Sequence, residues 1–238
     1  MTPKTGLATA LVAAVVAAVV SAGTLGILWL YITNNPEILV KMREEINRHQ
    51  QEERAAQQQK AISDNADALF RSDKAHIAGN PDGDVIVVEF FDYNCGFCRK
   101  ALPDVVKLVD SDDKVKVVFK ELPIFGEESQ AAAKGALAAA KQGKYFEMHQ
   151  KLFGEPGKAD KEKVLRIANE IGLDVPQLER DMESPDIQAS LDEVRELAQR
   201  LGIRGTPMYF IGDQIIGGAP EDLYDQLVEK VAEVREQG

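Results

Sequence analysis

The chain has 238 residues, 45% of them hydrophobic, which suits one ordinary domain with a sizeable core plus appendages. It carries 28 basic and 39 acidic side chains, so the formal net charge at pH 7 is −11. Because a protein that binds nucleic acid needs a basic face for the phosphates, this charge argues against nucleic acid as a partner.

The first predicted element is an apolar segment. Leu7 to Ile32 is almost wholly apolar, and Lys4 is the only charged side chain within or before it. The run exceeds the roughly 20 residues needed to span a bilayer. Two interpretations remain open: an uncleaved anchor with Trp29 and Tyr31 at the membrane interface, or a signal peptide cleaved near residues 21–23. Under both interpretations the rest of the chain is exported, because the positive side chain precedes the apolar run.

A charged helical arm follows. Asn35–Glu37 is typical of a helix start, with Asn as cap, Pro in the first turn and Glu near the positive end of the dipole. From there to about Leu69 the sequence is rich in Glu, Gln, Arg and Ala and contains no further Gly or Pro. It carries a short apolar stripe of Leu39, Met42 and Ile46. The arm is either a stalk through which copies associate or a solvated spacer.

The central stretch, Val85 to Leu102, places two cysteines at a strand-to-helix junction. Val85–Val88 is a β-branched run typical of a strand buried on both faces, and helix is predicted from Arg99 onward. A thiol at a helix start lies near unpaired N–H groups and the positive end of the dipole, which lower its pKa. Since the thiolate attacks in disulfide exchange, Cys95 and Cys98, the only cysteines, predict a thiol–disulfide oxidoreductase.

Other uses of two cysteines fit the sequence less well. Structural zinc needs four ligands, and the three histidines at 49, 76 and 149 show no ligand spacing. Covalent haem attachment needs a His directly after the second cysteine, where Arg99 stands. A structural disulfide closing a two-residue loop adds little stability. We therefore predict no resident metal or cofactor; a copper-binding pair, in a metal-handling or holdase protein, remains the alternative.

The remaining elements predict the fold class. A short strand near Ala75–Ile77 precedes the central strand, and a further strand covers Val115–Lys120. Helices, a hairpin and a closing helix follow, at Ala131–Ala140, Lys144–Phe153, Lys161–Ile171, Pro176–Met182, Ile187–Leu201, Met208–Ile216 and Glu221–Val234. This order predicts a thioredoxin-like α/β fold with an all-helical insertion at about 126–184. We divide the chain into an anchor or signal segment (1–33), a stalk (34–73) and the α/β domain (74–238).

The chain resembles the DsbA-like branch of the thioredoxin superfamily in its EFFDYNCGFC block (residues 89–98) and in Gly205-Thr206-Pro207. Together with the helical arm from Asn35, these motifs resemble ScsC-type exported disulfide proteins. The resemblance covers about Asn35 to the C-terminus. It implies a thiol–disulfide oxidoreductase of the same fold.

The resemblance also implies roles for individual residues. Cys95 matches the nucleophilic cysteine and Cys98 the resolving one. Pro207 matches a cis-proline that faces the disulfide and exposes the Thr206 backbone to an extended substrate. Glu89 matches an acid buried under the active site, which can relay the Cys98 proton when burial raises its pKa. The alternative for Glu89 is a surface position on a strand edge.

Gly96-Phe97, between the cysteines, departs from the strongly oxidising members, which carry a His there. Because Phe offers neither charge nor a hydrogen bond to the thiolate, we expect a less oxidising couple and, with the stalk, isomerase character. The expected partners are exported cysteine-containing proteins, a membrane redox partner and further copies of this chain. The expected location is the periplasmic side of a bacterial inner membrane, either anchored or soluble after signal cleavage.

Overall fold

The computed structural model describes residues 24–27, 29–72 and 76–237. Most of the apolar N-terminal segment, on which the anchor and signal interpretations both depend, lies outside these residues. Within the described residues, no helix has the length and apolar character needed to cross a membrane. The chain divides into two compact units, one ending at Gln57 and the other beginning at Gln58.

The first unit is helical where it is described. Residues 24–27 and 29–34 are helical, and the unit contains the first part of helix α1 (Pro36–Asp64). This helix begins with the Ile38 N–H donating to the Asn35 carbonyl at 3.1 Å. The helix start predicted at Asn35–Glu37 is therefore confirmed. The apolar stripe is about half exposed, at 53%, 54% and 52% for Leu39, Met42 and Ile46. The described part of this unit thus leaves the stripe uncovered.

The predicted continuous arm to Leu69 is instead interrupted at Asn65. Helix α1 ends at Asp64, and a short helix α2 covers Ala66–Phe70. The Asn65 side chain donates to the Ala61 carbonyl at 2.8 Å and accepts from Arg200 Nε at 2.7 Å. A side chain that bonds to nearby backbone competes with the helical ladder, which gives a physical reason for the break.

A five-stranded mixed sheet forms the centre of the second unit. Its strands are β1 (His76–Gly79), β2 (Val85–Phe91), β3 (Val115–Glu121), β4 (Met208–Ile211) and β5 (Gln214–Gly217), in the spatial order β1-β3-β2-β4-β5. The central strand β2 pairs in parallel with β3 and antiparallel with β4. The two outer pairs are antiparallel, and β4 and β5 form the predicted hairpin around Gly212 and Asp213.

Helices cover both faces of this sheet. The helix after β2 is α3 (Gly96–Ser111), and the helices after β3 are α4 (Glu127–Lys141), α5 (Tyr145–Gly154), α6 (Lys161–Glu170), α7 (Val175–Met182), α8 (Pro185–Arg200) and α9 (Leu223–Gln237). Val87 and Phe91 belong to the larger core with residues of α3 to α9. Val88 and Phe90 point the other way, into a smaller core with Leu69 and Leu197. The predicted thioredoxin-like fold with inserted helices and a long N-terminal helix is confirmed.

Candidate active site

Cys95 lies at the N-terminus of α3. It is the N-cap residue, with extended backbone, and its carbonyl accepts from the Arg99 N–H at 3.1 Å. The helix therefore begins at Gly96, three residues earlier than the sequence predicted, because Cys95 itself supplies the first acceptor. The Cys95 thiol donates to the Thr206 carbonyl oxygen at 3.2 Å. The two motifs that resemble the family thus meet at one sulfur atom.

The two thiols have opposite electrostatic surroundings. A hydrogen bond from Cys98 lowers the pKa of Cys95 to about 5, and the backbone N–H groups of Cys98 and Phe97 add to the shift, although burial opposes it. For Cys98, burial, its hydrogen bond to Cys95 and the charge of Glu89 all raise the pKa. Both cysteines are free thiols. At neutral pH the pair therefore offers one thiolate and one protonated thiol.

Glu89 lies on β2, within the sheet beneath this helix start. It is 4% exposed, which excludes the alternative of a surface position. Burial raises its pKa to about 8; the hydrogen bond from Tyr209 lowers the value, and the charge of Cys95 raises it. The Tyr209 phenol donates to Glu89 Oε1 at 3.1 Å. Glu89 is thus an acid that keeps its proton at neutral pH and interacts electrostatically with both cysteines.

The peptide bond between Thr206 and Pro207 is cis, as the sequence motif predicted. Pro207 is buried, whereas Phe97 between the cysteines is 63% exposed. Two further apolar side chains, Ile124 and Phe125 in the loop after β3, are 45% and 54% exposed. Cys95 itself is 4% exposed, so a buried cysteine has exposed apolar side chains on the elements beside it.

Asp92 and Asn94 hold the loop that carries Cys95. The Asp92 carboxyl group accepts four hydrogen bonds, from the backbone N–H groups of Asn94, Ile124 and Phe125 and from the Ser129 hydroxyl. The Asn94 side chain exchanges two hydrogen bonds with the backbone of Ala159. These contacts are structural, because every bond goes to the frame of the site and none to sulfur.

Arg99 ties α3 to the inserted helices. Its guanidinium donates to the backbone carbonyls of Phe153, Glu155 and Gly157, at the end of α5 and in the loop beyond it. Five N–H donors in a planar fork suit such a cluster of carbonyls. Arg99 therefore positions the helix that bears the cysteines.

The structure brings the predicted site residues Glu89, Cys95, Cys98, Thr206 and Pro207 into one region and leaves Gly96 and Phe97 on its exposed surface. Sequence reasoning missed Tyr209. The residue stands two positions after Pro207, but its importance depends on lying opposite Glu89 in the sheet. The described residues contain no cluster of three or more His, Cys, Asp or Glu side chains that could hold a metal.

The site thus combines three features: a Cys-x-x-Cys pair at a helix start, the five-stranded mixed sheet beneath it, and a cis-proline loop against the first sulfur. The family described as DSBA-like thioredoxin domain matches residues 86–232. The chain belongs to this family.

Solved structures agree with this assignment. A thioredoxin-like oxidoreductase from Silicibacter pomeroyi DSS-3 is 49% identical with a TM-score of 0.69, covering 71% of this chain and 97% of its own. The thiol-disulfide exchange protein alpha-DsbA2 from Wolbachia pipientis is 32% identical with a TM-score of 0.70, and the match covers 76% of this chain and 97% of that protein. Proteus mirabilis ScsC in a transitional conformation is 28% identical with a TM-score of 0.69, covering 93% and 99%. The predicted resemblance to DsbA-like and ScsC-type proteins is confirmed.

Curated relatives that the chain matches include Na⁺/H⁺ antiporters of the NhaA type. One from Mycobacterium sp. (strain KMS) is 33% identical over an alignment of 148 residues that covers 58% of this chain. The chain spans about a quarter of the length of that relative, 24%.

Proposed function

We propose that this protein exchanges disulfides with cysteines of exported proteins, with Cys95 as nucleophile and Cys98 as resolving cysteine. The observation that carries the proposal is the asymmetry of the pair. Cys95 caps a helix and has a pKa lowered to about 5, whereas Cys98 lies deeper, beside an acid, with a raised pKa. An attacking thiolate next to a protonated partner is the arrangement that thiol–disulfide exchange requires.

The chemistry proceeds in two exchanges. When the protein is reduced, the Cys95 thiolate attacks a substrate disulfide, forms a mixed disulfide and releases one substrate thiolate. Cys98 then loses its proton, attacks the Cys95 sulfur and releases the second substrate thiolate, so that the substrate is reduced and the pair is oxidised. The reverse sequence oxidises a substrate dithiol. In both directions Glu89 takes or gives the Cys98 proton.

The loop of Thr206 and Pro207 supplies the platform for substrate. The Thr206 carbonyl lies against the Cys95 sulfur, so an extended chain whose cysteine reaches this sulfur can pair with the backbone of the loop. The exposed side chains of Phe97, Ile124 and Phe125 offer apolar contacts around that chain. Such contacts suit unfolded or misfolded clients, because those proteins expose apolar segments.

Replacement of Cys98 by Ser tests the assignment. The variant is expected to accumulate mixed disulfides through Cys95 with exported proteins, which a non-reducing gel followed by mass spectrometry detects. Replacement of Cys95 by Ser is the matched control and should trap none. The copper-binding alternative predicts instead that both variants lose a bound metal and that neither forms mixed disulfides.

We further propose isomerase activity that depends on association through the stalk. The exposed stripe of Leu39, Met42 and Ile46 supports this, because linked active sites raise the effective concentration around one misfolded client. The test replaces all three stripe residues by Gln in the full chain and measures sedimentation and refolding of a scrambled multi-disulfide protein. Replacing Gln57, Gln58 and Gln59 by Ala is the control. Unchanged sedimentation and unchanged refolding in the stripe variant would contradict the stalk proposal and leave the exchange chemistry intact.

The export proposal places the α/β domain on the periplasmic side of a bacterial inner membrane, with a membrane redox partner that restores the cysteine pair. Lys4 ahead of the apolar run supports the orientation. A reporter active only in the periplasm, fused after Arg48, should be active. Washing the membranes then distinguishes an anchored chain from one released after signal cleavage.

A further inference from the structure

Glu89 and Tyr209 form a buried pair within the sheet. They stand directly opposite each other in the ladder between β2 and β4, so their side chains share one face. The phenol donates to Glu89 Oε1 at 3.1 Å. Tyr209 is 0% exposed and Glu89 is 4% exposed. Because water has little access, this one hydrogen bond dominates the orientation of the carboxyl group.

The pair lies in the electrostatic field of the active site. Ionised Glu89 raises the pKa of Cys98, and Cys98 in turn raises the pKa of Tyr209. The titratable groups that face Glu89 or Tyr209 come from α3 and from the loop before it: Cys95, Cys98, Asp104 and Tyr93. A change in the charge of Glu89 therefore alters the pKa of Cys98, and loss of the Tyr209 hydrogen bond alters the pKa of Glu89.

We propose that Tyr209 is a positioning residue that, through its hydrogen bond to Glu89, sets the pH range in which Glu89 exchanges a proton with Cys98. The inference rests on the proposed function, because it concerns the step in which Cys98 resolves a mixed disulfide. In that step the Cys98 S–H bond breaks, its proton passes to the Glu89 carboxylate, and the new thiolate attacks the Cys95 sulfur. The disulfide between Cys95 and Cys98 forms as the bond from Cys95 to the substrate breaks, and the substrate leaves as a thiolate.

Tyr209 suits this role because it does not carry the proton itself. Burial and the charge of Glu89 raise the pKa of the phenol well above its ordinary value, so it remains a donor throughout the working pH range. With Tyr209 donating to Oε1, the transferred proton is carried by Oε2. The phenol also stabilises the carboxylate more than the protonated acid, since hydrogen bonds to charged acceptors are the stronger ones.

Tyr209→Phe removes the phenol oxygen and keeps the ring. Without the donor, the Glu89 pKa should rise by roughly one unit, because a hydrogen bond to a charged group is worth about that much. A smaller fraction of Glu89 is then ionised at pH 7 and available to accept the Cys98 proton. We expect the attack by Cys98 to be roughly three- to tenfold slower at pH 7 and to approach the wild-type rate at high pH.

Reaction of the reduced full-length protein with 5,5′-dithiobis(2-nitrobenzoate) separates the two steps. Attack by Cys95 releases one coloured thiolate and leaves a mixed disulfide; attack by Cys98 on that disulfide releases the second. Stopped-flow absorbance across pH 5 to 10 gives a pH profile for each release. In Tyr209→Phe the midpoint of the second profile should move upward by roughly one unit while the first profile remains unchanged.

Two controls distinguish positioning from a structural effect. Tyr145→Phe removes a similar buried hydrogen bond, from a phenol to Glu121, and should leave both profiles unchanged. In a Glu89→Gln background, Tyr209→Phe should no longer move the second profile, because the group through which it acts is gone.

The possible failures are distinguishable. An unchanged second profile in Tyr209→Phe, an equal shift of both profiles, or a shift that persists in the Glu89→Gln background would overturn the inference. Absence of a second release in the wild-type protein would overturn the proposed function itself.

Discussion

Two buried carboxylic acids lie three residues apart on either side of the end of β2, and they serve different purposes. Asp92 is 1% exposed and accepts four hydrogen bonds, whereas Glu89 is 4% exposed and accepts one from Tyr209. The two carboxyl groups are therefore almost equally buried, but they differ in the number of hydrogen-bond donors that contact them. A carboxyl group surrounded by donors holds a loop, while one with a single donor is free to gain and lose a proton.

Replacing each acid by its amide gives the strongest test of this comparison. In Asp92→Asn only one side-chain atom can still accept, and the new NH₂ group faces the donors that the second oxygen satisfied. We expect the free energy of unfolding to fall by about 4 kcal/mol, because several buried donors lose their acceptor. Urea denaturation at pH 7 measures the change. A loss below about 1 kcal/mol would mean that the four hydrogen bonds do not hold the loop.

Glu89→Gln is the matched variant and should raise the free energy of unfolding, whereas Asp92→Asn lowers it. The pKa of Glu89 is about 8 in the folded protein against 4.5 when unperturbed. The folded state therefore binds the extra proton between these values, and wild-type stability falls as the pH rises through this window. Gln at position 89 cannot ionise, so the variant does not lose this stability. With both cysteines reduced, Glu89→Gln should be more stable than wild type by about 3 kcal/mol at pH 7.

The measurement for Glu89 is urea denaturation of the reduced proteins at pH 5 and pH 8. Replacing Glu229, an exposed acid on α9, by Gln is the control and should leave the pH dependence unchanged. If wild type and Glu89→Gln lose stability in parallel between the two pH values, Glu89 does not hold a proton in the folded state.

His149 extends the comparison to a buried base. Its Nδ1 lies 3.1 Å from the Tyr93 hydroxyl oxygen, and burial lowers its pKa to about 3. The unfolded chain takes up a proton below about pH 6.5 that the folded state resists, so stability is lost as the pH falls. His149→Phe should therefore lose about 2 kcal/mol less free energy of unfolding than wild type between pH 7 and pH 5. Urea denaturation of both proteins at the two pH values measures this difference. An unchanged difference would contradict the assignment.

A substitution at Phe97, on the exposed side of the cysteine pair, should have the smallest effect of the changes considered. Phe97 is 63% exposed, so water screens a charge placed there. Phe97→His should raise the equilibrium reduction potential of the pair by only about 10–30 mV, through partial stabilisation of the Cys95 thiolate, with little change in unfolding free energy. Equilibration with glutathione measures the potential, and Phe97→Leu is the control. A potential that falls in the His variant would contradict this account.

Much of the fold was predictable because its signals are local. The β-branched run at Val85, the turn residues at Gly212 and the helical stretches after β3 each involve contacts between residues a few positions apart. The same holds for the thiol pair, since spacing alone places Cys95 and Cys98 on one turn of a helix. Two local features were missed: the break of the arm at Asn65, and the first residue of α3, which is Gly96 rather than Arg99 because Cys95 is not among the usual capping residues.

The sequence by itself determined that Cys95 and Cys98 stand at a strand-to-helix junction, and only the tertiary structure decided what surrounds them. Tyr209 reaches Glu89 across 120 positions and Thr206 reaches Cys95 across 111. The first contact depends on the register of β4 against β2, and the second on how the loop before β4 packs against the start of α3. The whole chain sets both. The physical reason is that hydrophobic packing selects the register, and no motif within a few residues encodes which side chain will stand opposite another.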